Sequence, residues 1–164
     1  MSVLTRYQLR MAWPDRDERL IARLKVACWH EAYPGILPQP ILDDLSVSRS
    51  TMEWGHGLRH GIAWIAEQSG APVGFGHVRG AEVTTLYVRK ADHRNGVGRE
   101  LLLHCFDEIA CLGHASAHLW VLEENSAARR FYERAGGRLT ARRPVGFPRW
   151  PRIMEVRYDF VLED

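Results

Sequence analysis

The stretch "TTLYVRKADHRNGVGRELLLH" constrains the fold of this chain more than any other. An apolar strand, a loop with two glycines and an apolar helical pattern follow one another within it. The first N–H groups of a helix lack intrahelical partners and carry the positive end of its dipole, so a helix start favours anions. Gly96 and Gly98 remove side chains that would hold a ligand away from those donors. Arg94 and Arg99 add positive charge beside them. Two readings follow: a pyrophosphate cradle made by the backbone amides of residues 94–99, or a tight glycine-bearing loop whose arginines are solvated. The two commonest phosphate loops fail on their defining residues. A P-loop needs Lys and then Ser or Thr after its last glycine, where Arg99 and Glu100 stand. A dinucleotide fingerprint needs a third glycine where Leu101 stands, and an acidic residue about 20 positions on, where His118 stands.

The surrounding periodicity places this loop in a mixed sheet. Residues 4–11 read as a first strand. From Asp15 a 3.6-residue pattern runs through Leu20, Ile21, Leu24, Ala27, Cys28 and Ala32 to the stop at Pro34-Gly35. Shorter helical segments follow near 38–46 and 48–58. Strands are predicted at 61–68, 72–80 and 82–90, a helix at Val97–Leu112, a strand at 116–124 and a helix at 126–135. Strands at 138–143 and 153–161 finish the chain. "TTLYV" and "HLWVL" flank a single helix, so this crossover predicts a parallel pair with the helix start at their carboxyl ends.

Composition bounds the rest. The 164 residues, 46% hydrophobic and 26% charged, suit one globular domain over 1–164, and a net charge of +2 gives no argument for nucleic acid or membrane. Cys28, Cys105 and Cys111 form no metal-type pair and no disulfide framework, and they read as small buried hydrophobes. No metal is implied. The N-terminal "MSVLTRYQLRMAW" lacks the apolar centre of a signal peptide, and no apolar run approaches a membrane span, so a cytoplasmic location is expected.

Two signatures together resemble the GCN5-related N-acetyltransferase (GNAT) family. In "NSAARRFYERAGG", Asn125, Ala128, Phe131, Tyr132 and Gly136 match that family's Asn-x-x-Ala-x-x-Phe-Tyr-x-x-x-Gly pattern at every position. Gly96 and Gly98 match its Gln/Arg-x-x-Gly-x-Gly/Ala pattern, although His93 stands in the Gln/Arg place and Arg94 follows it. "ACWHEAYPGILPQPILDDL" resembles the helix–loop–helix over the acceptor site in bacterial members.

The resemblance implies an α+β-type fold: a mostly antiparallel sheet with a central splayed parallel strand pair and flanking helices. It implies acetyl-coenzyme A as co-substrate, lying where the two parallel strands part. Main-chain groups of Leu86, Tyr87 and Val88 then meet the pantetheine and the acetyl carbonyl, much as an added strand would. Amides of Arg94, Asn95, Gly96, Val97, Gly98 and Arg99 hold the pyrophosphate, and Asn125 bonds the pantetheine arm. Tyr132 is the general acid for the departing thiolate. Spacing alone makes Asn125 a helix cap and Tyr132 a core aromatic; the full motif favours the catalytic pair.

A lysine-like amine is free base in only about 0.04% of molecules at pH 7, so a base is useful. Glu82 is the first candidate, placed by a two-residue period on one face with Thr84 and Leu86; an exposed carboxylate at a strand end is its plain alternative. His77, Glu123 and Glu124 are lesser candidates. Trp120, where the peptide-N-terminus branch often carries glutamate, counts against that branch. Trp29 and Tyr33, with His30, fall in the acceptor lid, as an aromatic wall for the amine or as core. The arginine-rich "RRPVGFPRWPR" reads as a solvated loop, a site for an anionic acceptor, a nucleic-acid contact or a homodimer contact. The function expected is direct acetyl transfer to a primary amine of a small molecule or peptide. The alternative is a non-catalytic acetyl-coenzyme A sensor.

Overall fold

The computed structural model describes residues 7–162. Its elements are β1 (Gln8–Met11), α1 (Glu18–Ala32), α2 (Gln39–Asp43), α3 (Val47–Arg59), β2 (Ile62–Gln68), β3 (Ala71–Arg79) and β4 (Glu82–Val88), then α4 (Val97–Cys111), β5 (Ser116–Leu122), α5 (Ser126–Arg134), β6 (Arg138–Pro144) and β7 (Met154–Val161). A short 3-10 turn at Lys90–Asp92 joins β4 to the glycine loop. Each element lies where the periodicity places it, within a few residues. The part of the first strand expected at 4–6 lies outside the described residues.

The seven strands form one sheet in the order β1-β2-β3-β4-β5-β7-β6. Every neighbouring pair is antiparallel except β4–β5, which is parallel. Helices α1 and α3 cover one face of the first half of the sheet, where Ile21, Ala22, Leu24, Trp54 and Leu58 pack on Ala63, Ile65 and Phe75. The apolar stripe of α4 covers the other face: Val97, Leu101, Leu102, Cys105 and Ile109 are all buried. Gly76 in β3 permits this close approach, because a Cβ there would lie 2.7 Å from the Cys105 sulfur.

Cys28 and Cys105 are buried, and desolvation pushes both thiols up to about 12. Cys111 departs from the expectation of burial. It ends α4 on the side facing solvent and is exposed. No helix among the described residues is long and apolar enough to cross a membrane.

Candidate functional site

A gap opens between β4 and β5 because the two strands pair only once. Glu82 and His118 are the one bridge between them. Just below it, the His118 amide donates to the Ala81 carbonyl at 3.0 Å. Beyond that point the strands part, while β4 stays in register with β3 up to Gly74–Val88. The Arg89 amide donates to Val73 across the same ladder at 2.8 Å. Antiparallel pairs alternate between bonded and unbonded, so Tyr87 spends its main-chain groups on β3 while Leu86 and Val88 turn theirs into the gap. The Val88 carbonyl is taken: His93 Nε2 lies 2.8 Å from it. A carbonyl only accepts, so that nitrogen carries the ring proton. The residue in the family's Gln/Arg place thus ties the loop to the strand and leaves the Val88 N–H facing the gap.

The loop brings backbone donors to the mouth of this gap. Arg94 (φ 66°) and Gly96 (φ 84°) are both left-handed and flank Asn95. Alternating handedness of this kind turns successive N–H groups to one side, which suits an anion. The conformation accounts for glycine at 96. Gly98 is different. Its φ is not left-handed, and a Cβ there would meet Phe131 at 3.6 Å and Val88 at 3.7 Å, ordinary contacts. Neither backbone strain nor internal packing demands glycine at 98. The Asn95 side-chain NH₂ donates to the Tyr7 hydroxyl at 2.9 Å, anchoring the loop to the start of the sheet.

On the β5 side, α5 carries the other half of the site. Asn125 caps the helix, its Oδ1 accepting the Ala128 N–H at 3.2 Å. This leaves the side-chain NH₂ unspent among the described residues. Two turns on, Tyr132 is buried in the core cluster under β5 and β7. Its hydroxyl has no hydrogen-bond partner among the described residues. Burial raises its pKa above the usual phenol range, with Tyr87 as a second cause, so it stays protonated at neutral pH.

The opposite lip is aromatic. The Tyr33 and Tyr87 hydroxyls are 3.1 Å apart. Trp29 meets Tyr33 edge-on, with ring centroids 5.0 Å apart. Around them pack Leu37 and Leu42 from the α1–α2 connection and α2, Leu122 from the end of β5, and Phe147 and Ile153 from the β6–β7 loop. The Trp29 indole N–H faces Tyr87 without hydrogen-bond geometry and is buried with no partner.

The candidate bases fall elsewhere. Thr84 is an extra residue in β4: His77 faces Thr85, whereas Val78 faces Val83. The two-residue period that grouped Glu82 with Leu86 is therefore broken. Val83 and Leu86, three apart, pack towards α4, while Tyr87 turns to α1. Glu82 stands at the closed end of the gap, 4.0 Å from His118 Nε2. His77 is buried and both ring nitrogens are engaged, Nδ1 with Thr84 at 2.6 Å and Nε2 with the Gly57 carbonyl at 3.0 Å. Glu123 is held by Arg142 through two bonds, which keep its carboxyl below the usual range.

Comparison with known proteins gives this geometry a family. Residues 59–136, spanning β2 to the end of α5, match the family model described as an acetyltransferase (GNAT) domain. A Mycobacterium tuberculosis protein described as "Probable N-acetyltransferase Rv2775" is 33% identical over 140 residues, 77% of each chain. The chain belongs to the GNAT acetyltransferase family. A GCN5-related N-acetyltransferase of Rhodopseudomonas palustris superposes with a TM-score of 0.82 over 99% of both chains at 19% identity. The PaiA N-acetyltransferase of Thermoplasma acidophilum, solved in complex with coenzyme A, does so with a TM-score of 0.79 at 16% identity, over 95% of this chain and 99% of that one. These two share the GNAT fold.

Within this GNAT chain, Leu86 and Val88 border the gap on β4, the 94–99 loop joins β4 to α4, Asn125 and Tyr132 lie on the helix that follows β5, and Trp29 and Tyr33 pack beside Tyr87. Glu82 is apart from them. Sequence reasoning missed the Tyr87 phenol, the tie from His93 to Val88 and the packing of Ile153 against Tyr33; Phe147 falls in the arginine-rich segment it singled out. Tyr87 and Tyr33 are 54 positions apart, and no local pattern joins them.

Proposed function

We propose that this GNAT chain transfers acetyl from acetyl-coenzyme A directly to a primary amine of a small molecule or peptide. One observation carries this reading: two parallel strands part after a single bridge, and the strand on one side of the opening runs on into a loop with left-handed Arg94 and Gly96. Bound in the gap, the coenzyme supplies the acetyl thioester. Leu86 offers it the main-chain groups an added strand would use, and Val88 its N–H. The amides of Arg94, Asn95, Gly96, Val97, Gly98 and Arg99 receive the pyrophosphate, and the free NH₂ of Asn125 bonds the pantetheine arm. The amine nitrogen bonds to the carbonyl carbon and the carbon–sulfur bond breaks. The Val88 N–H steadies the negative charge that develops on the carbonyl oxygen. Tyr132 gives a hydrogen bond, or its proton, to the departing sulfur. An ordinary phenol is about 1.5 pKa units weaker as an acid than a thiol, or about 2 kcal/mol, and burial of Tyr132 widens that gap. Hydrogen bonding is then the larger part of its help.

Glu82 lies four residues before Leu86, about 13 Å along the strand, so any proton it takes from the amine moves through water. Thiol release measured across an amine panel tests this reading. Tyr132→Phe should lower kcat about 10- to 100-fold while acetyl-coenzyme A binding stays within about twofold. Glu82→Gln should act on kcat/KM for the amine alone. Unchanged turnover in Tyr132→Phe removes the acid role. Coenzyme binding without turnover on any amine makes the chain a sensor.

A further inference from the structure

The cluster of Trp29, Tyr33 and Tyr87 narrows the acceptor, given the proposal that the gap holds acetyl-coenzyme A and the amine comes from the α1 side. Its hydrogen-bond inventory is lopsided. Two hydroxyls and one indole N–H carry three donor protons, and the two hydroxyl oxygens also accept. One serves the Tyr33–Tyr87 contact at 3.1 Å. The Trp29 N–H is buried and unpaired, and the other hydroxyl proton has no partner among the described residues. A buried donor left unpaired is costly, so the cluster favours a molecule that brings lone pairs. Desolvation raises the pKa of both phenols, which keeps them neutral donors.

Three carboxylates near the cluster are already committed. Glu31 binds Arg89 and the Lys90 amide. Glu123 meets Arg142 at 2.7 and 2.9 Å, and Glu155 meets Arg143 at 2.6 Å. None of the three is left to hold a second ammonium group. The remaining walls, from Leu37, Leu122, Phe147 and Ile153, are apolar.

We propose that the acceptor is a mono-amine: one reacting nitrogen on an apolar, aromatic-sized body that carries an uncharged oxygen acceptor for the Trp29 indole N–H. Acceptors with several ammonium groups, such as polyamines and aminoglycosides, bring further cationic donors to a site whose indole N–H already lacks an acceptor and where Glu31, Glu123 and Glu155 are paired. They bind poorly.

Calorimetric titration of the coenzyme A-loaded protein with phenylethylamine, its para-methoxy derivative and spermidine tests this. One added hydrogen bond of about 1 kcal/mol makes the methoxy compound about fivefold tighter than phenylethylamine. Spermidine should bind at least about tenfold more weakly than either, a gap of about 1.4 kcal/mol or more. Trp29→Phe should abolish the difference between the two aryl amines. In the wild type, the indole ¹H–¹⁵N resonance of Trp29 should shift with the methoxy compound and not with phenylethylamine. The latter readout needs no variant to fold. Tightest binding by spermidine, equal binding of the aryl amines, no binding of any of the three, or a methoxy preference that survives Trp29→Phe overturns the inference. Acetyl transfer is measured separately: its absence with every amine defeats the enzyme reading, whereas the order of binding judges the acceptor class.

Discussion

At the scale of residues, Gly98 separates a ligand requirement from a folding requirement. A methyl group at 98 has room against Phe131 and Val88, and alanine suits a helical position better than glycine. Gly98→Ala should therefore leave stability within about 1 kcal/mol of the parent, measured by urea unfolding, yet weaken acetyl-coenzyme A binding tenfold or more. Equal binding in the variant would mean that no ligand approaches the backbone there. The neighbouring Gly96 cannot serve this purpose, because its left-handed φ makes any substitution a folding defect as well. The glycines, Asn125 and Tyr132 were legible from the chain because each sits at a fixed offset within one local motif. The Tyr33–Tyr87 bond and the unpaired Trp29 N–H were not, since they join a helix end to a strand that local spacing leaves unrelated.

At the scale of elements, the start of the sheet depends on one ionic knot. Arg10 of β1 binds both oxygens of Asp17, each at 2.9 Å, and also Glu67 of β2 at 2.8 Å. Asp17 is 2% exposed, precedes α1 and accepts the Trp13 amide at 2.9 Å. The knot fixes how α1 leaves the sheet, and hence where Trp29 and Tyr33 stand at its far end. Arg10 holds the Asp17 carboxyl below its usual pKa. A lowered folded-state pKa gives stability that is present above the unfolded value of about 3.9 and is lost as pH falls through the folded value. Asp17→Asn should cost about 2–3 kcal/mol at pH 7 and flatten the acid limb of a melting-temperature profile below about pH 4. An unchanged acid limb would place the acid sensitivity in other carboxylates. The element boundaries were readable from periodicity and turn residues. The face assignment in β4 was not. A strand's period of two holds only without a bulge, and the extra residue at Thr84 is set by pairing with β3.

At the scale of the whole molecule, two packed regions meet at the gap. One core lies under β5 and β7, another under α1 and α3, and α4 packs beneath the strands between them. The sheet itself joins β4 to β5 through one bridge. A ligand lying in the gap completes the missing ladder and so stabilises the native state alone. Acetyl-coenzyme A at 100 times its Kd adds about 2.7 kcal/mol. For a chain of this size that is a rise of about 5–10 °C in Tm, read by scanning calorimetry. A rise no larger with the coenzyme than with free adenosine would put the ligand outside the gap. The sequence by itself determined the order of elements, the parallel crossover and the motif residues that mark the chain as GNAT, because each depends on neighbours a few positions apart. Only the tertiary structure decided where the strands part, which face of β4 each side chain takes, and which carboxylates and donors remain unspent. Those are properties of pairing between distant segments, and a hydrogen bond already made to one partner is not available to another.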